Sequence, residues 1–385
     1  MKNLWDDAEA KKCKNDLDLR VYTSNLLGQS DELVLHGGGN TSVKSMVEGE
    51  EILYVKGSGW DLVSIKAEGF APVKMSTLLE MAQLKTLSDT DMVSGQKAAM
   101  IDSSAPNPSV EAILHALIPF KVVDHTHADA VVTISNSKNG LELIDKVFPN
   151  FLIVPYVMPG FILAQKIYEM TQGDFDWDTC EGIILHNHGI FTFDDDARKS
   201  YDKMIEAVSV AEVFLEKNAS VELKDLEAKA FDIGLLNIDK FMHINQTPLA
   251  LNYAFSEDLR TRVTRGVLTP EHIIRTKRVP LVLEDDEVEE ALKHFKVAYE
   301  AYFNAYKNDE IMLDQKPKYA VIKNYGVVSF GKTQKEADVI NDVVSHTMLA
   351  VLRADKLGGY RSISIPDSFA MEYWELEQAK ITSPM

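Results

Sequence analysis

The sequence predicts an α/β fold with room for two domains, and three observations carry that reading. A β-branched run, Val122–Ile134, reads as a buried strand through VVDHTH and onward. A glycine-flanked apolar stretch, Gly182–Phe193 (GIILHNHGIFTF), reads as a strand pair or one bent strand. Directly after it, Ala197, Tyr201, Ile205, Val208 and Ala211 recur with helical spacing and mark one stripe of a long helix. With 385 residues the chain is long enough to bury two cores.

Composition narrows the class. Hydrophobic residues make up 45% and charged residues 26%, the balance of a soluble globular protein. Acidic residues outnumber basic ones 59 to 40, a net charge of −19, which argues against non-specific binding to nucleic acid or an anionic membrane. A locally positive site for an anionic substrate remains compatible with it. Cys13 and Cys180 match no metal spacing and form no disulfide framework, as for reduced thiols in the cytosol. The N-terminal MKNLWDDAEA lacks a signal-peptide core, and no apolar run approaches the roughly 20 residues that span a bilayer. A cytoplasmic protein is expected.

In chain order, Asp6–Leu27 mixes charges with Leu17, Val21 and Leu26 and reads as a helix ending at Gly28. HGGGNTSVK (His36–Lys44) follows; its glycines fit an anion-binding loop and a hairpin turn equally well. Ile52–Val55 is a short strand leading into a second glycine loop, KGSGWDL (Lys56–Leu62). Residues 74–100 read as an edge region with loops. In NPSVEAILHALIPF, Asn107 fits a helix N-cap and Pro108 the first helical position, with the helix stopping near Pro119. Glu111 then lies in the first turn, where it complements the helix dipole or aims a carboxylate at a metal. His115, four residues on, shares its face and would orient it or simply pack.

The histidines carry the chemistry. Residues i and i+2 of a strand point the same way, so His125 and His127 share a face, close enough to hold one cation. Alone, an HxH pair is also what two hydrogen-bonded histidines near a strand end look like. A second HxH, His186 and His188, precedes Gly189, where the backbone turns sharply. Phe151–Val154 adds a strand, and a helical stretch follows around Leu163–Met170. Asp194–Asp196 caps the long helix, which runs to about Lys217.

Taken together, GGGNTSV, KGSG, PSVE, HTHADA and HNHG followed by a capped helix resemble the class II aldolase/adducin family over residues 6–217. The resemblance implies a three-layer α/β/α domain around a central, mostly antiparallel sheet. It implies a divalent metal, most often zinc, held here by His125, His127 and His188, with His186 outside the ligand set. It places the acid/base residue at Glu111 and the phosphate-binding positions at Gly39, Asn40, Ser58, Gly59 and Ser109. Sugar-phosphate aldolases of the family commonly carry two serines before the glutamate; here the second is Val110, which puts one phosphate contact in doubt. The family also implies a homo-oligomer.

Beyond the catalytic domain, placed at 1–235, a C-terminal α/β region spans 236–370 and a linker-like tail 371–385. Within it, YAVIKNYGVVSF (Tyr319–Phe330) reads as a faded copy of GIILHNHGIFTF. Lys323 stands where the first has His186, an offset of 323 − 186 = 137 residues, and Tyr325 where it has His188. An internal duplication and a chance strand–turn–helix likeness both account for it. RGVLTPEHIIRTK (Arg265–Lys277) and EYWELEQAK (Glu372–Lys380) resemble the bifunctional rhamnulose-phosphate aldolase/alcohol dehydrogenase family. No GxxxGxG-type nucleotide loop follows, so a stand-alone aldolase part or a shortened chain without dehydrogenase activity is expected. The implied reaction is metal-dependent, reversible cleavage of a ketose 1-phosphate such as rhamnulose 1-phosphate. The rival readings are an epimerase, a dehydratase, an aldolase for an unphosphorylated substrate, and a non-catalytic adducin-like scaffold.

Overall fold

The computed structural model describes residues 1–284 and 287–382, in two compact units. The first holds residues 1–135 and 140–214. The second holds 136–139 and 215–382.

The first unit begins with α1 (Asp7–Ala10) and α2 (Asp16–Gly28), then β1 (Asn40–Val47), β2 (Glu50–Lys56) and β3 (Phe70–Lys74). Helices α3 (Met75–Ala82), α4 (Asp89–Ala98) and α5 (Ala112–Leu117) lead to β4 (Val122–Thr126). The chain continues through α6 (Asp129–Ser135), α7 (Gly140–Val147), β5 (Phe151–Val154), α8 (Phe161–Met170), β6 (Gly182–Leu185), β7 (Gly189–Asp194) and α9 (Ala197–Asn218). The strands form one seven-stranded sheet, β3-β2-β1-β4-β7-β6-β5. Every pairing is antiparallel except β5–β6. This is the mixed α/β fold with a large, mostly antiparallel sheet that the sequence leads one to expect.

Three local expectations are corrected. The run after His127 is not strand: Asp129–Ser135 is helix α6, with Ala130–Ser135 all buried. A helix buried on every side shows no 3.6-residue stripe, and its β-branched residues mimic a strand. Residues 75–98 hold helices α3 and α4 rather than loops. Pro108 does not open α5. It pairs with Gly57 in an isolated β-bridge, and the helix starts at Ala112 with Glu111 at the N-cap.

The second unit contains β8 (Phe241–Asn245), α10 (Pro248–Ala254), α11 (Leu259–Val263), α12 (Ile273–Thr276), β9 (Leu281–Leu283) and α13 (Val288–Tyr306). It ends with β10 (Tyr319–Ile322), β11 (Gly326–Gly331), α14 (Gln334–Lys356), α15 (Ile365–Glu372) and α16 (Glu375–Thr382). Its sheet, β8-β11-β10-β9, repeats the order β4-β7-β6-β5. The register repeats as well. Leu185 faces Gly189 as Ile322 faces Gly326, at the 137-residue offset seen in the sequence (322 − 185 = 137). Thr126 faces Ile190 as Asn245 faces Val327, and the parallel pair β5–β6 is matched by β9–β10. The turn residues Asn187 and Asn324 share the left-handed backbone, φ 59° and 61°. A chance likeness does not preserve four strands, three pairings and a turn, so the duplication is real at the level of the fold.

Apart from the short segment 136–139, the chain passes into the second unit at Phe214/Leu215, inside α9. Residues after α9 fasten to the second sheet. Lys229 N–H donates to the Asn324 carbonyl (2.8 Å), and Leu236 and Ile238 join the second core. The tail expected to be linker-like is helical as far as it is described. Met371, Glu372 and Trp374 are buried, and residues 383–385 lie outside the described residues. No helix among the described residues is long and apolar enough to cross a membrane.

Candidate metal centre and active site

His125 lies on β4 with no exposed surface, its ring stacked on Phe191 of the neighbouring strand at 4.0 Å between centroids. The Ile190 carbonyl lies 3.0 Å from Nδ1, so Nδ1 carries the proton and donates. Nε2 is the nitrogen turned toward the other histidines, as a metal ligand's must be. His127 sits one residue past β4, because its N–H donates to the Leu33 carbonyl (3.0 Å) instead of continuing the sheet. Its Nε2 lies 3.0 Å from His125 Nε2. His188 closes the β6–β7 turn, which is pinned where Asn187 N–H donates to Ser135 Oγ (2.7 Å). The ligand atoms of the three rings lie within 4.8 Å of one another.

Glycine is required beside them. A Cβ on Gly189 would stand 2.4 Å from the Thr126 carbonyl oxygen and 2.9 Å from His125 Cε1. Gly39, at φ 62°, passes so close to β4 that a Cβ would stand 2.7 Å from the His125 carbonyl oxygen. His186, the other histidine of its pair, is not in the group. It is half-buried, its N–H donates to the Val154 carbonyl (2.9 Å), and burial lowers its imidazole pKa.

Glu111 faces this cluster. Its Oε2 is 3.5 Å from His125 Nε2 and its Oε1 3.9 Å from His188 Nε2, with the residue 4% exposed. The carboxylate does not cap α5. Oε2 instead accepts from Asn40 Nδ2 (2.6 Å), while Oε1 is buried with no hydrogen-bond partner.

The positions expected to bind phosphate gather on loops joined by backbone bonds. Ser58 N–H donates to the Asn107 carbonyl (2.8 Å), Ser109 N–H to the Lys56 carbonyl (3.1 Å), and Lys56 Nζ to the Gly37 carbonyl (3.1 Å). Ser58 and Gly59 are exposed, and Gly59 (φ 87°) has open space on its Cβ side. Ser109 Oγ lies 3.3 Å from the Glu111 N–H and accepts from it. Asn40 differs from the rest, since its side chain is engaged with Glu111 and His115. Sequence reasoning overlooked Ser42, which contacts His115, although its spacing from Asn40 along β1 puts both on one face.

Two family models match the chain. The family model for the class II aldolase and adducin N-terminal domain matches residues 20–215, and that for the second domain of class II aldolases matches 228–381. The chain belongs to the class II aldolase and adducin family. The class II aldolase N-terminal domain of a protein from Thermoplasma acidophilum is 39% identical, with a TM-score of 0.51 over 56% of this chain and 99% of that one. A Bacillus subtilis protein named uncharacterized oxidoreductase YuxG is 29% identical over 99% of this chain, which spans 60% of that relative's length. L-fuculose-1-phosphate aldolase from Thermus thermophilus is more distant, at 15% identity and a TM-score of 0.34 over 52% of this chain and 95% of that one. Class II aldolases use divalent metals, and the three-histidine cluster fits such a site.

Proposed function

We propose that this class II aldolase-family chain reversibly cleaves a ketose 1-phosphate, such as rhamnulose 1-phosphate, to dihydroxyacetone phosphate and an aldehyde. The reading includes zinc on His125, His127 and His188, and a cytoplasmic homo-oligomer. The observation that carries it is the buried carboxylate of Glu111, with one oxygen free, beside three convergent imidazoles. Neutral nitrogen donors with one proton already directed to a backbone carbonyl suit a zinc-type ion. A divalent ion held there supplies Lewis-acid stabilisation of the charge that develops on the substrate carbonyl oxygen.

The protein's own residues do the rest. In the cleavage direction the hydroxyl on the departing carbon gives its proton to solvent as the carbon–carbon bond breaks and the aldehyde forms. The electron pair stays on the carbon beside the carbonyl, and Glu111 Oε1, protonated at this step, delivers a proton to that carbon. In synthesis the same oxygen removes it. Ser58, Ser109 and the amides around Gly39 and Gly59 hold the terminal phosphate and set the substrate's register. A second reading, an aldolase for an unphosphorylated substrate, is favoured by Val110, which offers no hydroxyl where the sugar-phosphate aldolases the chain resembles commonly carry serine.

A panel of phosphorylated and free ketoses, with product identification, tests the substrate. Glu111→Gln tests the base. It is expected to keep metal content and to lower turnover by about 10²–10⁴. Exchange of the alpha proton of dihydroxyacetone phosphate should fall with it. Loss of the metal would make Glu111 a ligand, and exchange at the wild-type rate would assign the base elsewhere.

A further inference from the structure

We infer that Ser42, His115 and Asn40 form a hydrogen-bonded relay that positions Glu111, and that the Asn40 side chain serves this role instead of binding phosphate. The inference rests on the aldolase reading for its kinetics but not for its geometry. Asn40, Ser42 and Lys44 alternate along β1 and share one face. All three side chains reach α5 or the residues flanking it. Lys44 Nζ donates to the carbonyls of Ile118 and Phe120 just past the helix. Ser42 Oγ lies 2.8 Å from His115 Nδ1, and Asn40 Oδ1 is bonded to His115 Nε2.

The direction of every bond follows from the carboxylate. Glu111 Oε2 only accepts when ionised, so the amide turned toward it at 2.6 Å is Asn40 Nδ2. Asn40 Oδ1 then faces His115 and accepts, which puts the imidazole proton on Nε2. Nδ1 is left bare and accepts from the Ser42 hydroxyl. His115 has no exposed surface, and burial holds its pKa well below the usual histidine value, so the ring is neutral, as the chain of bonds needs. A flipped Asn40 would set its oxygen against the carboxylate.

The relay fixes one oxygen of Glu111 and thereby selects the other. Oε2 is held by Asn40, and Oε1 is the buried, unpartnered oxygen on the side of His188. Since α5 begins only at Ala112 and Glu111 makes no capping bond, the helix alone does not orient the side chain. Ser42, His115 and Asn40 are therefore positioning residues: they act through Glu111.

Two measurements test this. The first is the ¹⁵N spectrum of His115 in metal-free protein, with an Nε2-protonated neutral ring expected. An Nδ1-protonated ring would overturn the relay, because Asn40 would then have to be flipped. The second is kinetics of Asn40→Ala, His115→Phe and His115→Gln. Asn40→Ala and His115→Phe should lower kcat about 10–100-fold, with KM for the ketose phosphate, inhibition by inorganic phosphate and metal content unchanged. His115→Gln, whose amide still donates to Asn40, should recover most of the loss. A raised KM and weakened phosphate inhibition in Asn40→Ala at unchanged kcat would make Asn40 a phosphate ligand and overturn the proposal. If the wild-type protein turns over no ketose phosphate, the aldolase reading fails, and the His115 tautomer still decides the relay.

Discussion

At the scale of single residues, the centre depends on which nitrogen of each histidine turns toward the others. His125 is the clearest case, since its Nδ1 proton is committed to the Ile190 carbonyl. His127 is less enclosed and is held by its backbone rather than by burial. His127→Ala should leave the fold intact and strip most of the metal, because two imidazoles bind a divalent ion far more weakly than three. Elemental analysis against wild type checks this; full wild-type metal content would remove His127 from the ligand set. The histidines and Glu111 were legible through the motifs that together resemble the family, since an HxH pair alone also fits two hydrogen-bonded histidines. The partners of Glu111 were not, since Asn40 and Glu111 lie 71 residues apart. Strand order β1-β4 also skips two strands, and only the fold reveals that neighbourhood.

At the scale of elements, β1 reaches α5 and the residues past it through polar groups: Asn40 and Ser42 meet His115, and Lys44 meets the carbonyls of Ile118 and Phe120. Lys44 shows what that costs. It is 6% exposed, and burial pushes its ammonium down to about 8 from 10.5. Below about pH 8 both folded and unfolded chains carry the proton, and the folded state bears the full burial penalty. Between about 8 and 10.5 the unfolded chain binds more protons, so stability rises with pH, by on the order of 3 kcal/mol across the window. Lys44→Met should flatten that rise. Urea unfolding of both proteins at about pH 7 and about pH 10 checks it, and parallel curves would show that Lys44 does not titrate there. The same scale explains what the sequence hid. Helix α4 buries only Met92 and Gln96, so it shows no apolar stripe, although Ser88 Oγ accepting from the Asp91 N–H marks its start. Pro108 mimics a helix start but serves a strand-like bridge to Gly57. Strands β5, β6 and β7 and helices α8 and α9 were legible, since each is bounded by glycine, proline or aspartate.

At the scale of the whole molecule, one sheet pattern is used twice and only the first copy keeps the histidines. Ile244 stands at the sheet position of His125, Gln246 follows where His127 does, and Tyr325 replaces His188. Among the described residues the group of three histidines in the first unit is the one cluster able to hold a metal. The protein should therefore carry about one divalent ion per chain, as elemental analysis would show, and a second ion near Asn324–Gly326 would contradict it. The duplication was visible in twelve residues of sequence. Its extent was not, because β8 and β9 share little residue identity with β4 and β5 while keeping their pairings.

The second hairpin is also a natural control experiment. It holds the same strand register and the same left-handed asparagine turn with a tyrosine where a ligand would be. Shape there rests on backbone pairing, apolar burial and a bond from Gln246 Nε2 to the Tyr325 carbonyl. Its histidine-bearing twin should therefore fold without an ion, unlike a zinc finger, whose binding energy is its folding energy. Chelation should empty the first site with secondary structure and unfolding cooperativity intact, as circular dichroism before and after would show. A finished mould of three imidazoles also has little means of choosing its guest. Zinc, cobalt or nickel should each fill it according to supply, so the ion recovered will mirror the growth medium more than the protein.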